Sequence, residues 1–506
     1  MIMNRRSLVA GGVCVSTFGA STFGAGRALA GPVGSRQAAA ADINHFVGKA
    51  MRRMRTAPGL ALAVADQNGP LIVAGHGVAD LRSGRRVDAD TAFYIASATK
   101  AFTALGVAAM AARAEVPLDS PLTEWAGETP LPADIAASVT LSDLLSHRSG
   151  VDNAPIAFRA AYSGDHSRAT MQALLARTTR RSDAPHGVFR YANAGYNLAT
   201  TLLERRFGRD WRLMVRDEVL IPAGMTRTTA WVSDARRRGV TAAGHFADRP
   251  GAPVVSPLQK VDDTMQSAGG LMSTANDMAR WLAIQIGSDH TTDFAPGLIA
   301  STHRSLVAQD TTFGPYRRDG YGLGWQTGWY GDDRLVHHFG NFSGSRAHVS
   351  FMPERRIGVA VMVNEDLFGG DMADVIANYA YDRLKTRSDL EAAYDAELDA
   401  LTARRDGRRR AVARAKAERA ARPWALSRPL QDYAGAYESE ALGVMRIGLE
   451  DARPTAAIGV LSAVAEPSDE PDTIRVELVP FQGQAIQFTS PDSLMFDGEI
   501  FRRASD

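Results

Sequence analysis

The sequence predicts a mixed α/β (α+β) protein: an antiparallel sheet flanked by helices, a mostly helical subdomain, and a small all-β barrel or sandwich at the C-terminus. Three observations carry this. β-rich runs occur near Leu60 and again near Val363, with a long helix-and-loop stretch between them, so one sheet is completed by distant pieces of chain. A charged segment nearly free of glycine and proline follows Leu384. From Ser427 onward, short strand-like segments alternate with Gly, Pro and Asp turns. At 506 residues the chain also exceeds one ordinary domain.

At the N-terminus, Asn4-Arg5-Arg6-Ser7-Leu8-Val9, a weakly apolar stretch, and Ala28-Leu29-Ala30 before Gly31 read as an export signal over residues 1–30, with adjacent arginines of the twin-arginine kind. The mature chain is therefore expected in the periplasm or outside the cell. Cys14, the only cysteine, lies inside this signal, which excludes a thiol nucleophile, a disulfide and a Cys-ligated zinc from the mature chain. Ile43, Phe46, Val47, Ala50 and Met54 recur at helical spacing. Residues 60–65 and 71–74 are apolar runs around Gln67-Asn68-Gly69-Pro70, a hairpin signal. From 91 to 286 helices and loops alternate, and Thr140-Leu141-Ser142-Asp143 and Thr274-Ala275-Asn276-Asp277 have the form of N-terminal caps. Strand patterns return after Tyr321, run through 347–352 and 357–363 around Pro353-Glu354-Arg355-Arg356, and give way to helical spacing near Ala373.

These signals delimit a domain over 41–384, a charged helical connector over 385–426 and a barrel over 427–506. The basic part of the connector, 404–422, lacks large apolar residues and interleaved aromatics, so it reads as a solvated helix rather than a membrane or nucleic-acid binder. A formal net charge of +1 likewise gives no reason to expect nucleic acid or an acidic partner. After the signal, no apolar run reaches the roughly 18 residues of a membrane span.

Ser97-Ala98-Thr99-Lys100 heads an apolar helix, and residues three apart share a helix face. The Lys100 amine can therefore reach the Ser97 hydroxyl and strip its proton, as a weak nucleophile requires. Of the five lysines, only Lys100 follows a serine by three residues. Two further clusters lie downstream: Tyr191-Ala192-Asn193, after Pro185-His186-Gly187-Val188-Phe189, and His338-Phe339-Gly340 at a strand end. Taken singly, the first reads as a structural tyrosine and the second as a turn. No His-Glu-x-x-His spacing or phosphate-binding glycine loop occurs, so neither metal nor cofactor is implied.

In this order the three clusters resemble the motifs of the serine β-lactamase and penicillin-binding protein superfamily. The resemblance is to its class C β-lactamase-like branch of D-aminopeptidases, DD-carboxypeptidases and esterases, the S12-like peptidases. Four flanking stretches share it: Leu144-Leu145-Ser146-His147-Arg148-Ser149-Gly150, Pro222-Ala223-Gly224-Met225, Ser267-Ala268-Gly269-Gly270-Leu271 and Tyr321-Gly322-Leu323-Gly324-Trp325. The resemblance covers residues 43–384. It implies a β-lactamase/DD-peptidase-like fold, and the segment from Ser427 is similar to the lipocalin-like barrel that some members carry.

By the same resemblance Ser97 is the acylated nucleophile, Lys100 its proton relay, and Tyr191 a second base whose phenolate the Lys100 ammonium favours. Asn193 would hydrogen-bond Lys100 and the substrate amide. The backbone N–H groups of Ser97 and Asn341 would form the oxyanion hole. Gly340 would let a substrate backbone lie against the strand edge. His338 stands where penicillin-recognising enzymes carry lysine, so a permanent cation for a substrate carboxylate is missing. The expected activity is that of an exported serine hydrolase cleaving amides or peptides, with D-residue or cell-wall-like substrates foremost, or esters. A carboxylesterase is the nearest alternative, and a β-lactamase or a catalytically silent ligand-binding or sensor protein are further ones. The expected partner is a small-molecule or peptide substrate. His147 reads as a buttress of the helix end before Gly150, His337 as facing away from His338, and Tyr196 as helix packing.

Overall fold

The computed structural model describes residues 33–504 apart from 388; the segment read as an export signal, Cys14 included, lies outside the described residues. Helix α1 (Val33–Met54) buries the predicted stripe of Ile43, Phe46, Val47, Ala50 and Met54. It leads into β1 (Gly59–Asp66) and β2 (Gly69–Asp80), which turn at Gln67-Asn68. The remaining sheet strands come from far downstream: β3 (Val307–Phe313), β4 (Tyr316–Tyr321), β5 (Gln326–Tyr330), β6 (Asp333–Phe342), β7 (Ser345–Met352) and β8 (Ile357–Val363). They form one antiparallel sheet in the order β3-β4-β5-β6-β7-β8-β1-β2, edged by the short strand Arg85–Arg86. β1 closes it by pairing with β8, Leu60 opposite Val363 and Ala65 opposite Gly358.

Strands β3 and β4 begin earlier than the sequence pattern indicates. They form an edge hairpin in which β3 exposes Asp310, Thr311, Thr312 and Phe313, so the alternation that marks a half-buried strand is missing.

Because side chains alternate along a strand, β1 serves two cores. Ala61, Ala63 and Ala65 face one that contains α2 (Thr99–Ala112), α3 (Asn193–Phe207) and α4 (Ala275–Gln285). Leu60, Leu62 and Val64 face the other, against α1, α5 (Gly369–Leu384) and the first half of α6 (Leu390–Ala420). The expected caps are present: Thr140 and Asp143 form a reciprocal capping box, and the Thr274 side chain accepts the Asp277 N–H. Only part of the connector is the solvated helix expected. Leu390, Tyr394, Leu398 and Leu401 are buried, and Tyr394 packs its edge on Phe46 at 5.5 Å between centroids. Charged residues dilute this stripe in the sequence.

The C-terminal nine-stranded antiparallel sheet is nearly closed. The two ends of its order, Leu461–Val464 and Glu466–Pro467, are consecutive in the chain, so one stretch changes partner at Ala465 and joins both edges. The barrel docks on the segment Arg159–Ser163. There the Arg159 guanidinium donates to the carbonyls of Ala441 at 2.6 Å and Glu440 at 3.1 Å, and Phe158 enters the barrel core. Among the described residues no helix is long and apolar enough to cross a membrane.

Glu365, fully buried after β8, accepts N–H bonds from Ala247 at 3.2 Å and from Leu367 and Phe368 at 2.8 Å. Burial outweighs these bonds and pushes its carboxyl from 4.5 up to about 7. The folded chain thus keeps a proton that the unfolded chain has released, and this group's contribution to stability falls as pH rises from 4.5 to about 7. Glu365→Gln is expected to flatten the decline of the urea midpoint across that window. An unchanged slope would remove Glu365 as its source.

Candidate active site

Ser97 lies in a short 3-10 turn, Ala96–Ala98, that runs directly into α2. Ala96 just before it has a φ of 46°, a left-handed conformation costing a residue with a β-carbon roughly 1–2 kcal/mol. The bend leaves Ser97 half-buried while Ala96 and Ala98 are buried. Helix α2 is apolar on every side, as a helix enclosed by a core must be, and Phe102 stacks on Trp281 at 3.9 Å. Lys100 is therefore fully buried.

Its amine has three oxygen neighbours: Ala268 O at 2.7 Å, Asn193 Oδ1 at 2.8 Å and Ser97 Oγ at 3.2 Å. Burial holds its pKa well below 10.5. A neutral amine has two N–H groups and one lone pair. The two shorter contacts are to a carbonyl and an amide oxygen, which only accept, so a deprotonated amine would spend both hydrogens there and turn its lone pair to the Ser97 hydroxyl. Thr103 donates to Ser267 O at 2.7 Å and Thr99 accepts the Leu271 N–H at 3.0 Å, which clamps the 267–271 segment along α2 and sets Ala268 O in place.

Asn193 opens α3, and Gly195 lets that helix approach Leu144, whose carbonyl oxygen would lie 2.6 Å from a Cβ there. Tyr191, two residues before, turns its hydroxyl end toward the Ser97 side chain, and the Lys100 amine lies 4.8 Å over its ring centroid. The ring keeps 40% of its surface exposed, while desolvation of the hydroxyl end pushes the phenol above its ordinary range. The electrostatics thus run opposite to the expected ammonium and phenolate pair: burial favours a neutral amine and a protonated phenol.

Strand β6 supplies the facing wall. Its side chains alternate, so His338 and Gly340 face the site, whereas His337 stacks on Phe339 at 4.4 Å on the other side of the sheet. His338 Nδ1 lies 2.9 Å from Phe339 O and Nε2 lies 3.1 Å from the Tyr321 hydroxyl. Burial holds its pKa well below 6.5, so it presents no cation. Gly340 has a neighbour other than the expected substrate backbone: a Cβ there would lie 2.0 Å from the Ile95 carbonyl oxygen. Its missing side chain lets β6 press against the chain entering Ser97. Asn341 is exposed at the end of the strand, and Phe342 beyond it packs on Tyr162 and the barrel core.

The structure thus brings Ser97, Lys100, Tyr191, Asn193 and His338 together, with Gly340 against the chain entering Ser97. Sequence reasoning did not single out the Ala268 carbonyl or the Tyr321 hydroxyl, and it read His147, whose ring lies 4.4 Å from that of Tyr191, only as a buttress of the helix end. All three sit in the flanking stretches, which carried the only signal. A second arrangement imitates a catalytic triad: His348 bonds Asp374 at 2.7 Å and Ser350 Oγ at 2.6 Å. Its serine is fully buried and shares its hydroxyl with Tyr381 at 2.8 Å, so no substrate reaches it.

The site is thus a serine hydroxyl beside a buried lysine amine, next to a sheet closed by strands from both ends of the domain. The chain belongs to the Beta-lactamase family, whose sequence model matches residues 44–381, more than half of it. Among named relatives it is similar to Unguisins hydrolase ungD of Aspergillus violaceofuscus, 27% identical over 67% of this chain and 66% of that protein. It is also similar to the D-alanyl-D-alanine-carboxypeptidase/endopeptidase AmpH of Escherichia coli, 24% identical over 61% of this chain and 79% of that one. The chain therefore spans just under two thirds of the Aspergillus protein's length. Among solved structures, the octameric penicillin-binding protein homologue from Pyrococcus abyssi superposes with a TM-score of 0.58 at 19% identity, over 91% of this chain and 99% of the other. The D-amino acid amidase from Ochrobactrum anthropi superposes at 0.55 and 20% identity, over 68% and 99%.

Proposed function

We propose that the protein is an exported hydrolase that cleaves amide bonds of small peptides or D-amino-acid amides through an acyl-enzyme on Ser97. The observation that carries this is the buried Lys100 amine, held by Ala268 and Asn193 at 3.2 Å from Ser97 Oγ. Lys100 takes the serine proton as Oγ bonds the carbonyl carbon, and the resulting oxyanion faces the N–H groups of Ser97 and Asn341. Collapse breaks the bond to the leaving nitrogen, which takes the Tyr191 proton. The Lys100 ammonium over the Tyr191 ring restores it. Water then attacks the ester with the same groups acting in reverse, returning the proton to Ser97.

The relatives support amide substrates: one is called a carboxypeptidase/endopeptidase, another a D-amino acid amidase. The neutral His338 favours an uncharged group beside it over the carboxylate of a β-lactam or a peptide C-terminus, and for the same reason an ester is the second reading. The signal-like sequence at 1–30 supports work outside the cytoplasm.

D-Alanyl-p-nitroanilide, p-nitrophenyl acetate and a chromogenic cephalosporin test this together, with intact-mass spectrometry of quenched mixtures. Turnover of the first two, slow or absent turnover of the third, and an acyl adduct on the Ser97 peptide are expected. No turnover and no adduct would leave a ligand-binding protein.

A further inference from the structure

His147 takes no part in the proton transfers at Ser97, yet it touches Tyr191 from three directions. Its carbonyl accepts the N–H of Arg190 at 2.7 Å, and its ring Nδ1 accepts the N–H of Ala192 at 3.2 Å. These are the residues on either side of Tyr191. The imidazole itself lies against the Tyr191 ring, 4.4 Å between centroids and tilted by 39°. The Lys100 amine also lies over that ring.

The imidazole is in turn held fast. Tyr321 packs against it at 4.7 Å, Tyr196 at 5.4 Å and Phe189 at 6.0 Å. Its backbone adopts a φ of 62°, the left-handed conformation common just past a helix end, where the Arg148 N–H donates back to the Asp143 carbonyl at 3.1 Å. That conformation turns the carbonyl and the ring toward the same short segment, 190–192. Since Nδ1 is an acceptor, the neutral ring carries its proton on Nε2, which has no hydrogen-bond partner among the described groups. A buried N–H left so costs about 1–3 kcal/mol. A buttress chosen for stability alone would be apolar here.

We propose that His147 is a positioning residue that clamps Tyr191, fixing the phenol toward Ser97 and the start of α3 toward Lys100. The proposal rests on the catalytic roles of Ser97, Lys100 and Tyr191. Two backbone bonds and a ring face set the Tyr191 orientation, and a displacement of 1 Å at a reacting group costs on the order of 100-fold in rate.

The test is a double-mutant cycle read on the rate at which a fluorophosphonate labels the full chain. His147→Ala is expected to lower the maximal labelling rate by about 10- to 100-fold while leaving the half-saturating probe concentration within about twofold. In a Tyr191→Phe background the same change is expected to cost less than about twofold, since no phenol remains to be positioned. His147→Asn, which tolerates the left-handed backbone and offers Ala192 an acceptor, is expected to recover part of the loss; it carries the same cycle if the alanine variant fails to fold. Equal losses with and without the Tyr191 hydroxyl would overturn the clamp. Undiminished labelling of Ser97→Ala would instead overturn the underlying assignment, so the two failures are told apart.

Discussion

Replacing Ser97 with alanine is expected to lower kcat/KM on any hydrolysed amide or ester by at least about 10⁴-fold and to abolish fluorophosphonate labelling, with the fold unchanged. Ser97 is half-buried in a turn, and its removal leaves the core around α2 intact. Ser350, whose hydroxyl bonds the His348 imidazole, is sealed behind the sheet against α5 and does not stand in for it. Steady-state rates, labelling and a thermal melt on both proteins check this. Residual turnover within tenfold of wild type would mean that the nucleophile lies elsewhere.

The second large effect is expected at Lys100. Lys100→Ala removes the lone pair that takes the serine proton, and loss of such general-base help is expected to lower kcat by about 10²–10⁴-fold. Lys100→Arg is expected to be as poor, because a guanidinium stays charged and has no lone pair. The pH dependence separates an amine base from a phenolate. Burial lowers the Lys100 pKa and raises that of Tyr191. The active form is then neutral amine with protonated phenol: kcat/KM rises with pH through the depressed lysine pKa and falls only at alkaline pH, where the phenol ionises. Lys100→Ala should lose the acidic limb and keep the alkaline one. Tyr191→Phe should do the reverse. If the acidic limb survives in Lys100→Ala, another group supplies the base.

How far the site was legible varies from residue to residue. Ser97 and Lys100 were plain because both sit on one helix, where three residues of separation fix their proximity whatever surrounds them. Tyr191, Asn193 and His338 were reached only through the order of three short motifs; nothing local in Tyr191-Ala192-Asn193 says that it meets a helix almost a hundred residues earlier. Gly340 was recognised as needing its missing side chain, but the atom it makes room for, the Ile95 carbonyl, is visible only once β6 lies beside the nucleophile's turn. The edge hairpin of β3 and β4 escaped notice because both of its strands are polar and neither shows a period.

By itself the sequence determined the features that arise between neighbours along the chain: the stripe of α1, the first hairpin, the caps at Thr140 and Thr274, and a hydroxyl with an amine one helical turn away. Tertiary structure alone decided that this amine's pKa falls, because the segments that desolvate it are remote from Lys100 in the chain. It likewise decided that His147 touches Tyr191. Protonation and orientation depend on everything packed around a group, and that packing sums over parts of the chain that only folding brings together.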